Sequence, residues 1–485
     1  VYTSTGGKRL FLSVYVDDFR MAGPKENLAP MWKLLSKSLD LEPAVPSCTN
    51  VHLGVQQEPC EMKQAVVDTK LEIFSRLLSG KIAADPTEED LKEPCTKAKK
   101  KNLGKAQRAT CPPFYLCRMI DAAQPEDTPA EEFSKDDHLL IADIEEQPEE
   151  TPAREFFKDM SEPKLFLSQS TGSKDPRPVK GWLSKMHGHA EQCVERYLEF
   201  AHKNISDLKY TATPCLDDHL ILKEEFETRG ELSPHASRIV LKALYMARLG
   251  RPDCLWAVNS LAREVTRWTV ACDRRLHKLI SYIHHTKSWL MASYVGDEAK
   301  DCWLALFCDA SFAGDMLGSK STSGVFFALV GPRDFVPITW FCKKQGAVSH
   351  SSSESEIISL DAGVRLEGIP CLLLWELVLE VCEPRGRTLH TNFKSVEAHI
   401  LKKTDCPIKD VLVNVDFVPP SMPKPTGKGT LVIFEDNEAV IKMCIKSRAP
   451  QMRHVARTHR VDLDFLFERL REDPGIYIKY VGTKE

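Results

Sequence analysis

In this 485-residue chain, the carboxylates that end or open apolar, periodic segments are the residues best placed to do chemistry. The pair Asp17-Asp18 closes the β-favouring run Leu10-Phe11-Leu12-Ser13-Val14-Tyr15-Val16. Burying unpaired negative charge is expensive, and a hard divalent cation such as Mg²⁺ is the usual compensation. A second acidic set lies far downstream. Asp309 ends the strand-like Trp303-Leu304-Ala305-Leu306-Phe307-Cys308, and Glu354 and Glu356 open a long apolar-periodic helix reaching about Val381. Glu435 and Asp436 follow the buried-strand pattern Leu431-Val432-Ile433-Phe434, and Asp462 and Asp464 sit on a final helix beginning near Thr458. Gathered without cations, such acids would repel one another and take up protons. Around two divalent ions about 3.5–4 Å apart, the same acids would serve phosphodiester hydrolysis.

The elements that must position these acids read as a mixed α/β (α+β) pattern. Two further strand-like runs, Ser323 to Val330 and Val336 to Lys343, flank the turn signal Gly331-Pro332-Arg333-Asp334, and a last strand pattern covers Ile476 to Val481. Upstream, Ala190 to Lys203, Arg238 to Leu249 and Leu255 to Thr286 have amphipathic helical spacing. His187-Gly188-His189 with Cys193 invites a metal reading, but no second ligand pair accompanies it and none is assigned. Trp182, Trp268 and Trp289 can stack on bases, though packing between helices is the commoner use of such residues.

Charge is unevenly distributed. Residues 121–164 hold 15 acidic and 4 basic residues, a balance of −11, which leaves +7 for the rest of a chain whose formal net charge is −4. The remainder therefore suits a polyanionic partner. The acidic stretch is also rich in proline and lacks periodicity, so it is expected to be disordered. The run Lys97-Ala98-Lys99-Lys100-Lys101 before it is a weak nuclear-import or nucleic-acid signal. Sixteen cysteines scattered without Cys-x-x-Cys pairs argue against zinc fingers and a disulfide framework. With no signal peptide and no bilayer-spanning run, an intracellular location without membrane attachment is expected, cytoplasm and nucleus not being distinguished.

From about Trp303 to Glu485 the chain resembles the ribonuclease H domain of copia-type LTR retrotransposon Pol polyproteins. The segments that carry the resemblance include Cys308-Asp309-Ala310, Lys320-Ser321-Thr322-Ser323-Gly324, Trp340-Phe341-Cys342-Lys343-Lys344-Gln345, Ser352-Ser353-Glu354-Ser355-Glu356, Glu435-Asp436-Asn437 and Arg457-Thr458. Upstream, Tyr15-Val16-Asp17-Asp18 resembles the catalytic hairpin of a reverse transcriptase palm, and Gly250-Arg251-Pro252-Asp253 with Ala257-Val258-Asn259 resembles the thumb or connection. The resemblance implies a ribonuclease H-like domain over 296–485, with an insertion near 384–429 looping out. It also implies a truncated palm over 1–60, an acidic insertion over 61–180 and a helical thumb or connection over 181–295.

It further implies two Mg²⁺ ions, with Mn²⁺ as a substitute, held by Asp309, Glu356, Asp436 and Asp462, Asp464 being the alternative for the last. Asp17 and Asp18 would be metal ligands of the polymerase hairpin. Asp315, Glu354, Glu435 and Glu438 are expected to be solvated, or at most to stand behind the ligands. Lys343, Lys344, Arg453, Arg457 and Arg460 would meet the phosphates of an RNA–DNA hybrid or other nucleic acid, and other Pol or Gag products are candidate partners. Only fourteen residues precede Tyr15 and none is acidic, so polymerase activity is not expected from this chain alone, which reads as a piece of a longer or decayed polyprotein. The competing reading is a repurposed copy that binds nucleic acid or protein without catalysis.

Overall fold

The computed structural model describes residues 10–15, 18–46, 51–52, 54–79, 178–186, 188–314, 318–382 and 424–482. An antiparallel hairpin, β1 (Phe11–Tyr15) and β2 (Asp18–Ala22), forms a two-stranded sheet in which Tyr15 pairs with Asp18. Asp17, Asp315, most of the acidic segment expected as an insertion and most of the stretch near 384–429 lie outside the described residues, as does the side chain of Asp18. Helix α1 (Lys25–Leu35) follows, then β3 (Val51–His52), β4 (Val55–Met62) and α2 (Gln64–Ser79). After β5 (Val179–Lys185) come four helices, α3 (His189–Ala201), α4 (Ala236–Leu249), α5 (Leu255–Arg263) and α6 (Val270–His285).

The remaining strands are β6 (Met291–Val295), β7 (Trp303–Ser311), β8 (Thr322–Val330), β9 (Phe335–Lys344), β10 (Leu431–Glu435) and β11 (Ile476–Tyr480). Between β9 and β10 run α7 (Ser352–Gly363) and α8 (Ile369–Cys382), joined by a wide π-helical turn over Val364–Gly368. Between β10 and β11 lie α9 (Glu438–Lys446), α10 (Val455–Thr458) and α11 (Leu463–Glu472). Nine strands form one mixed sheet in the order β11-β10-β7-β8-β9-β6-β5-β4-β3. Strand β10 is parallel to both β11 and β7, and every other pairing is antiparallel. The architecture is thus mixed α/β, and the sheet runs across the boundaries expected at 60, 180 and 295.

Alternation along β7 builds the two faces of its core. Leu304, Leu306 and Cys308 pack with α7, α9 and α11, whereas Trp303 and Ala305 pack with Val67, Phe74 and Leu77 of α2. Strand β10 is buried at all five positions because it has a parallel neighbour on each side and a covered surface above and below. The first residues of the segment expected to be an insertion therefore belong to the core. Buried Lys70 of α2 donates to the carbonyls of Gly331 (2.5 Å) and Pro332 (2.9 Å), which pins the helix to the β8–β9 turn.

The helices α3 to α6 form their own cluster and dock on β9. Asn259 Nδ2 donates to the Cys342 carbonyl at 2.9 Å, and Trp340 Nε1 donates to the Ala247 carbonyl at 3.0 Å. The single helix expected over Leu255 to Thr286 is two, α5 and α6. Asp273 fixes the break by accepting from Trp268 Nε1 (2.6 Å) and from the Glu231 backbone N–H (2.7 Å). Trp268 is accordingly a packed residue, only 3% exposed.

Helix α7 reaches the sheet closely because Gly363 has no side chain, and a Cβ there would lie 2.5 Å from Cys308 Sγ. Gly363→Ala is expected to cost about 1–3 kcal/mol by overpacking, read as a lower midpoint in urea unfolding. An unchanged midpoint would mean that the helix has room to retreat.

Candidate metal centre

Three segments converge where β7 and β10 end. Asp309 lies on β7 opposite Gly324 of β8. Helix α7 is strapped to that point by Ser359 Oγ, which donates to the Asp309 carbonyl at 2.7 Å. Its first turn is set by Ser351, whose hydroxyl accepts from the Glu354 backbone N–H, and by buried Gln345, whose Nε2 donates to the Ser355 carbonyl (2.9 Å) and Ser323 Oγ (3.0 Å). Asp436 occupies the tight turn from β10 into α9, where the Asn437 side chain caps the helix by accepting from Ala439 and Val440. Ser353 Oγ donates to Asn437 Oδ1 at 3.3 Å and ties the two helix starts together.

These elements bring Asp309, Glu356 and Asp436 together, with one carboxylate oxygen from each lying within 4.8 Å of the others. Glu356 is only 6% exposed, and its Oε2 has no hydrogen-bond partner. Burial, and then the charge of Asp436, push the Asp309 carboxyl up to about 6. Burial, followed by the charges of Glu435, Asp309 and Asp436, pushes Glu356 up to about 10, opposed by the Ala310 backbone N–H. Hard oxygen donors, an orphaned buried carboxylate oxygen and mutual repulsion are what a Mg²⁺-type cation would relieve, so the donor set fits one or two such ions.

Two acids expected to be solvated or to stand behind the ligands are buried. Glu435 is 0% exposed with an unpartnered Oε2, and burial raises its carboxyl well above the usual range. It closes the fully buried strand β10, and that position is the signal that sequence reasoning missed. Glu354 is 1% exposed and turned toward histidines. Glu438 forms a surface pair with Lys442 at 3.6 Å.

Asp462 is exposed and is not one of the converging three. It is the N-cap of α11, accepting from the Phe465 backbone N–H at 3.1 Å, and its charge acts on Asp361. Asp464 is exposed two residues further on. The final helix thus starts at Leu463 rather than near Thr458, because Arg460 adopts a left-handed backbone (φ 58°) that interrupts it. Lys343, Arg453, Arg457 and Arg460 are exposed and Lys344 is half-buried. His454 lies 3.2 Å from Glu354 and so brings the arginine-bearing segment against the first turn of α7.

The chain is similar to an uncharacterized mitochondrial protein of Arabidopsis thaliana, at 28% identity over 200 residues, 40% of this chain and 79% of that protein. It is also similar to a secreted RxLR effector protein of Plasmopara viticola, at 30% over 117 residues, 24% of this chain and 78% of the effector. A third relative is the retrovirus-related Pol polyprotein from transposon RE2 of Arabidopsis thaliana, at 30% over 152 residues. That match spans 31% of this chain but 10% of the polyprotein. No family model and no solved structure matches the chain.

The raised carboxyls make stability depend on pH when no cation is present. A folded-state pKa above the unfolded one contributes stability that is complete below the unfolded value and is lost as pH rises through the folded one. For Asp309 that window runs from 3.8 to about 6, and for Glu356 from 4.5 to about 10. In EDTA, the melting temperature should therefore fall steadily from pH 4 to pH 8. Glu356→Gln should raise the melting temperature at pH 8 and flatten the profile. A variant less stable than wild type at that pH would contradict the charge crowding.

Proposed function

Because the chain belongs to the copia-type retrotransposon Pol proteins, we propose that its part from about 296 onward is a ribonuclease H-like, two-metal endonuclease acting on the RNA strand of RNA–DNA hybrids. The observation that carries the reading is the meeting of Asp309, Glu356 and Asp436 from a strand end, a helix start and a strand–helix turn. The strand order β11-β10-β7-β8-β9, with β10 parallel to both neighbours, supports it. The β1–β2 hairpin (Phe11–Ala22), whose sequence includes Asp17 and Asp18, is proposed as part of a polymerase palm.

In this reading Asp309, Glu356 and Asp436 hold two Mg²⁺ ions, for which Mn²⁺ can substitute. Bound there, the ions supply an activated water and charge stabilisation for the leaving 3′ oxygen. The protein residues hold the geometry. Ser359 fixes the Asp309 backbone, Gln345 and Ser351 fix the helix start that presents Glu356, and Asn437 fixes the turn bearing Asp436. Cation binding needs the raised carboxyls of Asp309 and Glu356 ionised, so it releases protons and strengthens as pH rises. Asp462 is proposed as the fourth acid, acting through the oxygen that its helix cap does not use. Lys343, Lys344, Arg453, Arg457 and Arg460 contact the backbone phosphates of the bound nucleic acid.

With Mg²⁺, the wild-type chain should cut a labelled RNA–DNA hybrid. A metal site contributes several kcal/mol to such a reaction, so Asp309→Asn and Glu356→Gln should each lower cleavage by roughly 10²–10³-fold. Asp462→Asn should have a smaller effect. Saturating Mg²⁺ should also raise the melting temperature of the wild type but not of Asp309→Asn. Equal cleavage by wild type, Asp309→Asn and Glu356→Gln would reject the assignment.

A further inference from the structure

A second set of metal-ligating side chains lies beside the acidic centre and takes no part in it. Glu354 and Glu356 are two residues apart on α7, and so point to different sides of the helix. The Glu354 Oε2 atom accepts from the His350 backbone N–H at 2.9 Å. That bond leaves Oε1 facing two imidazoles, with His454 Nε2 at 3.2 Å and His459 Nε2 at 3.3 Å. The Glu354 side chain and the His459 ring are each only 2% exposed. None of the three facing atoms has a hydrogen bond of acceptable geometry. The set close enough to share one ion is His350, Glu354 and His454, whose ligand atoms all lie within 4.8 Å of one another, and His459 is not part of it.

Buried polar atoms are seldom left without partners. A charge-assisted N–H···O bond would bring the atoms to about 2.7–2.9 Å. The observed separations are longer and match a different geometry. Two ligands on a tetrahedral zinc, each bonded at about 2.0–2.1 Å, are about 3.3 Å apart. We propose that His350, Glu354 and His454 bind one Zn²⁺ ion, a solvent molecule completing the tetrahedron, with His459 packed against the Glu354 carboxylate.

Imidazole nitrogens favour zinc, whereas Mg²⁺ prefers oxygen, so opposite sides of one helix turn carry two sites of different metal preference. The backbone bond from His350 to the free oxygen of Glu354 is the outer support that orients a metal-binding carboxylate. His454 and His459 bracket α10, a helix of four residues that is far too short to hold itself. The ion therefore clips this segment, with Arg453, Arg457 and Arg460, onto the helix that carries Glu356. The site stands whether or not the nuclease reading does.

The full-length chain, stripped of metal with a chelator, should be titrated with Co²⁺ as a spectroscopic probe and then with Zn²⁺. One equivalent of Co²⁺ should give the intense visible absorption of a tetrahedral site, Zn²⁺ should displace it, and Zn²⁺ should raise the melting temperature. His350→Ala and His454→Ala should each weaken binding by roughly 100-fold or more, since even loss of an outer support costs 10–100-fold. The double variant Asp309→Asn/Glu356→Gln should keep the tetrahedral spectrum, because the acidic centre is not its source. A weak, octahedral-type spectrum from the wild type would overturn the proposal. So would unchanged affinity in His454→Ala, or loss of the tetrahedral spectrum in the acidic double variant. Should the histidine variants fail to fold, the wild-type cobalt spectrum decides alone.

Discussion

Negative charge held out of water at one end of the adjacent strands β7 and β10 is the constraint around which this half of the molecule is arranged. Asp309, Glu356, Glu435 and Asp436 occupy one corner, and burial is the leading cause of the raised carboxyls of Asp309, Glu356 and Glu435. Such crowding opposes folding unless protons or cations neutralise it. The surrounding hydrogen bonds hold backbone and helix starts in place without cancelling the charge. Ser359, Gln345, Ser351 and Asn437 all bind main-chain groups near the corner. The geometry is thus fixed by uncharged residues, and the charge is left for a ligand to neutralise.

Much of this was legible in the amino-acid order. The runs around 303–311, 322–330, 335–344, 431–435 and 476–480 are apolar and short, and each became a strand within a residue or two of its expected span. The positions of Asp309, Glu356 and Asp436 followed from those elements. Strand β4 was not legible, because Val-Gln-Gln-Glu-Pro-Cys-Glu-Met has neither an apolar run nor a clean alternation. Its place is dictated by seven pairs with β5, more than a hundred residues away. Glu435 and Glu354 were misjudged for a related reason. A carboxylate after an apolar run, such as Glu435, or in a serine-rich helix start, such as Glu354, reads as facing solvent, and only tertiary neighbours such as β11, or the distant His454 and His459, reveal otherwise.

The helical cluster owes its place to a few directional bonds. Buried Arg251 donates to Asp253 (2.9 Å) and to the Thr286 carbonyl (3.0 Å) and hydroxyl (2.7 Å), and Tyr282 donates to Asp253 at 3.0 Å. This network ties the corner between α4 and α5 to the last turn of α6. The segment Gly250-Arg251-Pro252-Asp253, singled out in the sequence for its resemblance, thus acts as a brace.

The docking of α2 has a practical consequence. Val67, Phe74 and Leu77 cover Trp303, Val330, Val432 and Phe434, and Lys70 fastens that cover to the far end of β8. A protein trimmed to begin at 296 would keep every acidic residue of the centre yet expose a broad greasy wall, inviting self-association before any assay could begin. The smallest piece worth purifying therefore retains residues 55–79.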